Sequence, residues 1–184
     1  MSILSRRNFV LSAAAVPLAA CGNGVGSQGS QRIDARVDSA IDFMYSEVPG
    51  TQELSFNAAG MLVMPLVTEA GFGFGGSYGR GALRINGATV DYYSAISGSF
   101  GLQIGAQQYA HTLFFMTEDA LSEFRRGPGW AVGADVRYAV VNQGGNLGID
   151  TNTLLDPVIA VVYGQAGLIA GATLEGTRYS RILP

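Results

Sequence analysis

No lysine occurs in this chain, and cysteine and histidine occur once each. All eleven cations are therefore arginine, set against fourteen acids for a net charge of −3. An acidic chain with no basic run lacks the clustered charge that neutralises phosphates, so no nucleic-acid partner is expected. Diffuse attraction to an anionic membrane needs clustered Lys or Arg and is also disfavoured. A single cysteine excludes an internal disulfide. With one cysteine and one histidine, Cys21 and His111, there is no transition-metal cluster, and no metal or other cofactor is expected. The fold must hold by packing alone. Glycine is plentiful at 26 residues, but it is scattered through apolar segments without a collagen-like period.

The first apolar run, Phe9 to Ala20, is twelve residues long, short of the roughly 20 that span a bilayer. Arg6 and Arg7 precede it and Leu18-Ala19-Ala20-Cys21 closes it, the layout of an export signal. Ser5-Arg6-Arg7-Asn8-Phe9-Val10-Leu11 resembles the twin-arginine consensus. Leu18 to Cys21 resembles a bacterial lipobox, which implies cleavage before Cys21 and acylation of its sulfur. The plainer reading is an ordinary signal peptide with an accidental cysteine. Residues 1–20 are thus expected as signal peptide, 21–30 (a Gly/Ser/Gln-rich stretch) as flexible tether, and 31–184 as one folded domain. Loss of Arg6 and Arg7 would take the charge from −3 to −5. The expected location is the periplasm, lipid-anchored to the outer membrane because Gly22 rather than Asp follows the cysteine.

Ile33, Val37, Ala40, Ile41, Met44 and Val48 recur at helical spacing, with Ser30 as N-cap and Pro49-Gly50 as stop. Asp34, Asp38 and Asp42 line the polar side, which favours docking on a core over lying in a membrane. A second short helix is expected near 52–59. From Met61 the period becomes two. Pro65 reads as an edge or bulge proline, and Asn86-Gly87 as a hairpin turn between Ala82–Ile85 and Ala88–Ile96. Phe100 to Gln107 alternates apolar residues with Gly and Gln, which lets a backbone approach closely or a sheet bend sharply. Thr117 should cap a helix reaching Arg126. Val132 to Val140 alternates again. Pro157 to Gly164 suits a central strand, paired with 168–175 across a turn at Gln165-Ala166-Gly167. Six or seven strands result: an α+β fold with a curled, mostly antiparallel sheet, barrel-like in the limit, an N-terminal amphipathic helix and a short middle helix.

Several motifs are present in form only. Gly75-Gly76-Ser77-Tyr78-Gly79 matches a nucleophile elbow, but a strand and hairpin follow where a helix is needed, and His111 is the sole candidate base. Gly71, Gly73 and Gly76 match a dinucleotide fingerprint without the βαβ unit behind it. Asp150-Thr151-Asn152 and Asp156 suggest a calcium loop, yet Leu155 and Val161 stand where Gly and Glu are required. His111 follows the Gln103, Gln107 and Tyr109 side of its strand and reads as a polar-face residue with a hydrogen-bond partner. Trp130, Phe72, Phe74, Phe114 and Phe115 suit either an acyl pocket or the core. Arg80 and Arg84, beside the Gly-rich segment, suit a bidentate phosphate contact, with a solvated strand face as the alternative.

Five segments stand in order along the chain: Ala70 to Gly76, Gly98 to Gln107, Leu113 to Thr117, Gly129-Trp130 with Gly133-Ala134-Asp135, and Leu174 to Thr177. Together they resemble the SYLF domain, a lipid-binding domain shared with a yeast actin regulator. The resemblance implies phospholipid or phosphoinositide binding and does not imply catalysis. Eukaryotic members bind lipid through a basic N-terminal segment, whereas the segment here is acid-lined. An envelope location would also leave no actin to regulate. The expected function is therefore a non-catalytic, lipid-binding envelope lipoprotein, partnered by phospholipid or a membrane surface. Arg80, Arg84, Phe72 and Phe74 are its candidate contacts. The alternative is a structural lipoprotein that docks on an envelope protein without a small ligand.

Overall fold

The computed structural model describes residues 28–127, 129–131, 137–140, 156–167, 174 and 176–184. In chain order the elements are helix α1 (Gly29–Glu47), helix α2 (Thr51–Asn57), strand β1 (Gly60–Ile85), strand β2 (Ala88–Phe115), helix α3 (Glu118–Arg126), and strands β3 (Trp130–Ala131), β4 (Arg137–Val140), β5 (Val158–Gly167) and β6 (Arg178–Ile182). The described strands form one sheet in the order β3-β6-β2-β5-β4, with β1 on β2. Pairing is antiparallel except between β4 and β5. The expected α+β class with a curled, mostly antiparallel sheet is what the chain adopts.

The short alternating segments expected between Met61 and Gln107 are not separate strands. They merge into one hairpin of a 26-residue and a 28-residue strand. Its turn is Asn86-Gly87, with φ of 50° and 78°, the pair of positive φ values that a tight hairpin turn requires. Straight, such a strand would be about 85 Å long. It curls instead, because glycine allows backbone to meet backbone. A Cβ on Gly79 would lie 2.7 Å from Val67 Cγ2 and 2.9 Å from Leu66 O, and one on Gly81 would collide with Val63 O. The tip half of the hairpin therefore lies against its own base half. Pro65 falls where the β1–β2 register shifts between Met64 and Val67, so it is the expected bulge proline.

Period two gives the sheet two apolar faces. One encloses Leu62, Met64, Leu83, Tyr93, Tyr109, Leu113, Phe115, Val162 and Tyr179, closed by Leu121 and Phe124 of α3. The other, with Val63, Ala82, Phe114, Ile159, Val161 and Tyr163, receives Ile33, Val37, Ala40 and Met44 of α1. Helix α1 is thus docked on the core, as its periodicity suggests. Residues 158–163 of β5 are all buried, as expected for a central strand.

Three local expectations need correction. Helix α1 starts at Gly29, with Gln28 in the cap position and no side-chain cap, so Ser30 is inside the helix. Gln165-Ala166-Gly167 is not a turn: Ala166 and Gly167 pair with Gln108 and Gln107, because β2 offers them a free edge. His111 is not on a polar face. It is fully buried, its Nε2 2.7 Å from Tyr179 Oη, since the curl of the hairpin puts the Gln/Tyr/His side of β2 inside. The expected cap of α3 is present, Thr117 Oγ1 accepting from Ala120 N at 3.2 Å. Residues 132–136, 141–155 and most of 168–175, with the strand segments and the calcium-like motif placed there, lie outside the described residues.

Candidate binding groove

Two irregularities open the sheet beneath α1. One is the bulge at Pro65-Leu66 in β1. The other is in β5, where the register with β2 shifts between Gln108 and Ala110 and Gly164 takes a φ of 62°. A bulge bends its strand and interrupts the ladder. Between the two, on β2, stand Tyr109 and Ala110. The result is a groove of about 630 Å³, walled by Ala35, Ala40 and Phe43 of α1 and floored by Leu66, Tyr109 and Tyr163. That volume lies within the roughly 300–1,000 Å³ of small-molecule sites.

The floor carries no charge. Burial pushes the Tyr163 phenol up to about 12 and raises that of Tyr109. Tyr163 Oη also shares a hydrogen bond with Thr112 Oγ1 at 3.1 Å, which turns its polar end inward. Phe43 stacks on Tyr163 with centroids 6.3 Å apart, yet remains 46% exposed, and Leu66 is 40% exposed. What sets these two apart from the other exposed apolar side chains is that they stand together at the mouth of the groove.

At the N-terminal end of α1 the groove continues into a second cavity of about 370 Å³, sharing Arg36, Pro65 and Leu66 and adding Arg32, Tyr78 and Arg80. Arg80 Nε donates to Tyr78 Oη at 2.7 Å, and its guanidinium lies 5.9 Å from the Tyr78 ring centroid. Arg32, Arg36, Ser39 and Phe43 follow one flank of α1 at i, i+4, i+7 and i+11, all exposed. The opposite flank carries Asp34 and Asp38. These bind the hairpin tip: Arg84 Nη2 meets Asp38 Oδ1 at 2.6 Å and Asp34 Oδ1 at 3.7 Å, and Thr89 and Tyr92 donate to Asp34 at 2.8 Å.

Arg80 and Arg84 therefore do not meet in one place. Arg80 is on the groove; Arg84, with a side chain only 13% exposed, is held by two aspartates and by Gly87 O. Phe72 and Phe74 pair through the backbone with Ile104 and Phe100, beyond the bulge. Phe114, Phe115 and Trp130 are core, with Trp130 edge-on to Phe115 and Phe124. Arg6, Arg7 and Cys21 lie outside the described residues. Ser77 Oγ is paired with Ser97 Oγ at 2.7 Å within continuous strands, and His111 Nε2 is engaged by Tyr179, so the described contacts contain no Ser–His pair. Among the described residues no His/Cys/Asp/Glu cluster suits a metal ion, and no helix is long and apolar enough to cross a membrane.

Sequence reasoning missed Arg32, Arg36 and Phe43. The signal was present in their spacing, one flank away from the buried stripe at Ile33, Val37, Ala40 and Met44. It was masked by the aspartates, whose partners lie more than 40 residues away.

Residues 96–181 match the family described as "Ysc84: Las17-binding protein actin regulator". No curated protein matches the chain. The matched span includes the later part of β2, α3 and β3 to β6, hence Tyr109, Ala110, Tyr163 and Gly164 of the groove. Helices α1 and α2 and strand β1 precede it.

Proposed function

We propose that this chain, whose residues 96–181 match the Ysc84 family model, is a lipid-binding, non-catalytic module of a cell envelope, tethered through an acylated Cys21. The observation that carries the reading is the groove beneath α1, uncharged on its floor, with Phe43 and Leu66 exposed at its mouth. Burying apolar surface gives about 25 cal/mol per Å², so an acyl chain laid between Phe43, Leu66 and Tyr163 supplies affinity without help from net charge. The acidic balance of the chain fits this, because binding then rests on a local site rather than on bulk attraction. The signal-like segment around Arg6, Arg7 and Cys21 supports export and anchoring, with the domain held near the bilayer that supplies its ligand.

The test is extraction of the purified chain with organic solvent, followed by mass spectrometry. Co-purified phospholipid in near-stoichiometric amount is expected. A protein that is empty, and that takes up no phospholipid from mixed vesicles, would refute the reading and favour a module that docks on another envelope protein.

A further inference from the structure

We propose that the groove beneath α1 takes an acyl chain carried by the protein's own Cys21, so that the anchor is an internal ligand competing with phospholipid for the site. The inference deepens the lipid-binding reading and rests on it, acylation of Cys21 included.

The described chain enters α1 beside the groove. Gly29, the first residue of α1, lines the cavity of about 370 Å³ that shares Arg36, Pro65 and Leu66 with the groove. Cys21 stands seven positions before Gln28. Seven residues reach at most about 25 Å when extended, and in a Gly/Ser-rich sequence they average about 15 Å end to end. Along α1, at about 1.5 Å per residue, Ala35 lies about 9 Å and Phe43 about 21 Å from Gly29. The sulfur of Cys21 can therefore stand at the near end of the groove, with its acyl chain running toward Phe43.

The chemistry divides in the same order. The entry cavity is lined in part by Arg32, Arg36, Thr68 and Arg80, whose polar groups can donate to the carbonyls of a peptide passing through. Beyond it the floor is Leu66, Tyr109 and Tyr163, with Phe43 on the wall. The peptide cannot fill that apolar part itself, because Gly22 to Gln28 carries one apolar side chain, Val25. What the tether brings within reach is the acyl group. So short a tether holds it at an effective concentration on the order of millimolar, and a lipid that must leave a bilayer to bind competes against that.

The two occupants exclude each other, and the surroundings choose between them. In a bilayer or a detergent micelle the acyl chains are solvated, and the groove stays open to phospholipid. Away from one, a chain folds back and fills it. A chain withdrawn in this way also loosens the anchor, since stable attachment to a membrane takes more than one signal.

The experiment compares full-length acylated protein, its modification verified by mass, with the Cys21→Ser chain. Both are freed of detergent and titrated with palmitate bearing a fluorophore. Cys21→Ser should bind this probe at least tenfold more tightly, and Phe43→Glu added to Cys21→Ser should lose it. A third protein, acylated but lacking residues 23–27, has a tether reaching only about 7 Å and should bind the probe as Cys21→Ser does. Equal affinity in the acylated protein and Cys21→Ser would overturn the internal ligand. A short-tether protein as weak as the acylated parent would overturn it too, because acylation would then act without regard to reach. A mass showing unmodified Cys21 would also end it. In each of these cases probe binding by Cys21→Ser leaves the lipid-binding groove standing, whereas a Cys21→Ser protein that takes up no probe would sink both.

Discussion

At the scale of single residues, His111 is a fully buried group whose shift falls in the range near neutral pH. Complete burial lowers its pKa from 6.5 to about 3, so the folded state keeps it neutral while the unfolded chain protonates near 6.5. The unfolded state then binds more protons between those values, and stability falls as pH drops. The contribution is whole above about pH 6.5, and roughly 1 kcal/mol should be lost for each pH unit below it. Urea unfolding at pH 7, 6 and 5 should show this slope, and His111→Gln should flatten it; equal slopes in both proteins would contradict the assignment. Gly81 tests the curl of the hairpin in the same way. Gly81→Ala places a methyl group against Val63 O and should cost about 1–3 kcal/mol through overpacking, where Gly87→Ala, with open space around its Cβ position but a φ of 78°, tests backbone strain alone. A Gly81→Ala protein as stable as the parent would mean that the two halves of β1 do not touch. The sequence showed that backbone approach was possible along the glycine-rich strands; it could not show which glycine met which residue, because that contact joins positions 18 residues apart through a bend.

At the scale of elements, helix α1 is held on its two sides by different means. Its apolar stripe packs on the outer face of the sheet, and its acidic flank is tied to the hairpin tip through Arg84. Arg84→Ala should cost about 1 kcal/mol, modest because Asp38 is 63% exposed. Its more telling effect is local. Hydrogen exchange should quicken in residues 33–44 before the rest of the fold, since α1 then keeps its apolar contacts and the Thr89 and Tyr92 hydrogen bonds to Asp34 but loses its ion pairs. Unchanged exchange there would show that the ion pair adds nothing to docking. The helix itself, its apolar stripe and its stop at Pro49-Gly50 were legible from period and breaker residues. The aspartates misdirected the functional reading, because a helical wheel records polarity and does not say which flank has partners. Likewise the strand pattern identified apolar alternation, and Gly and Gln positions where a sheet could bend, but not strand length: the short segments join into strands that continue through the bend. The Asn86-Gly87 turn and the Pro65 bulge were legible because each depends on backbone geometry fixed by one or two residues.

At the scale of the whole molecule, the proposed function requires the groove and the proposed anchor to act on the same membrane. The residues proposed for anchoring are confined to the first segment of the chain, and a single cysteine leaves no internal disulfide that would depend on them. Cys21→Ser should therefore move the protein from the membrane to the soluble fraction while leaving cooperative unfolding unchanged. Identical fractionation of the two forms would rule out acylation as the anchor. Replacing Arg6 and Arg7 with lysine should hold the precursor in the cytoplasm if export follows the twin-arginine route, and undiminished export would exclude that route. The resemblance to the family was legible in the sequence because its segments are local, four of the five lying within the matched residues 96–181. The groove was not, because it is built where two bulges on different strands meet the flank of a helix, and no local pattern joins Arg36, Leu66 and Tyr163. The most direct measurement is the phospholipid content of purified wild type beside Phe43→Glu. Phe43 is half exposed and its loss spares the core, but a carboxylate there puts a charge on the wall of the groove. The account predicts phospholipid on the wild type, little or none on Phe43→Glu, and equal stability of the two. Phospholipid retained in full by a folded Phe43→Glu protein would contradict it.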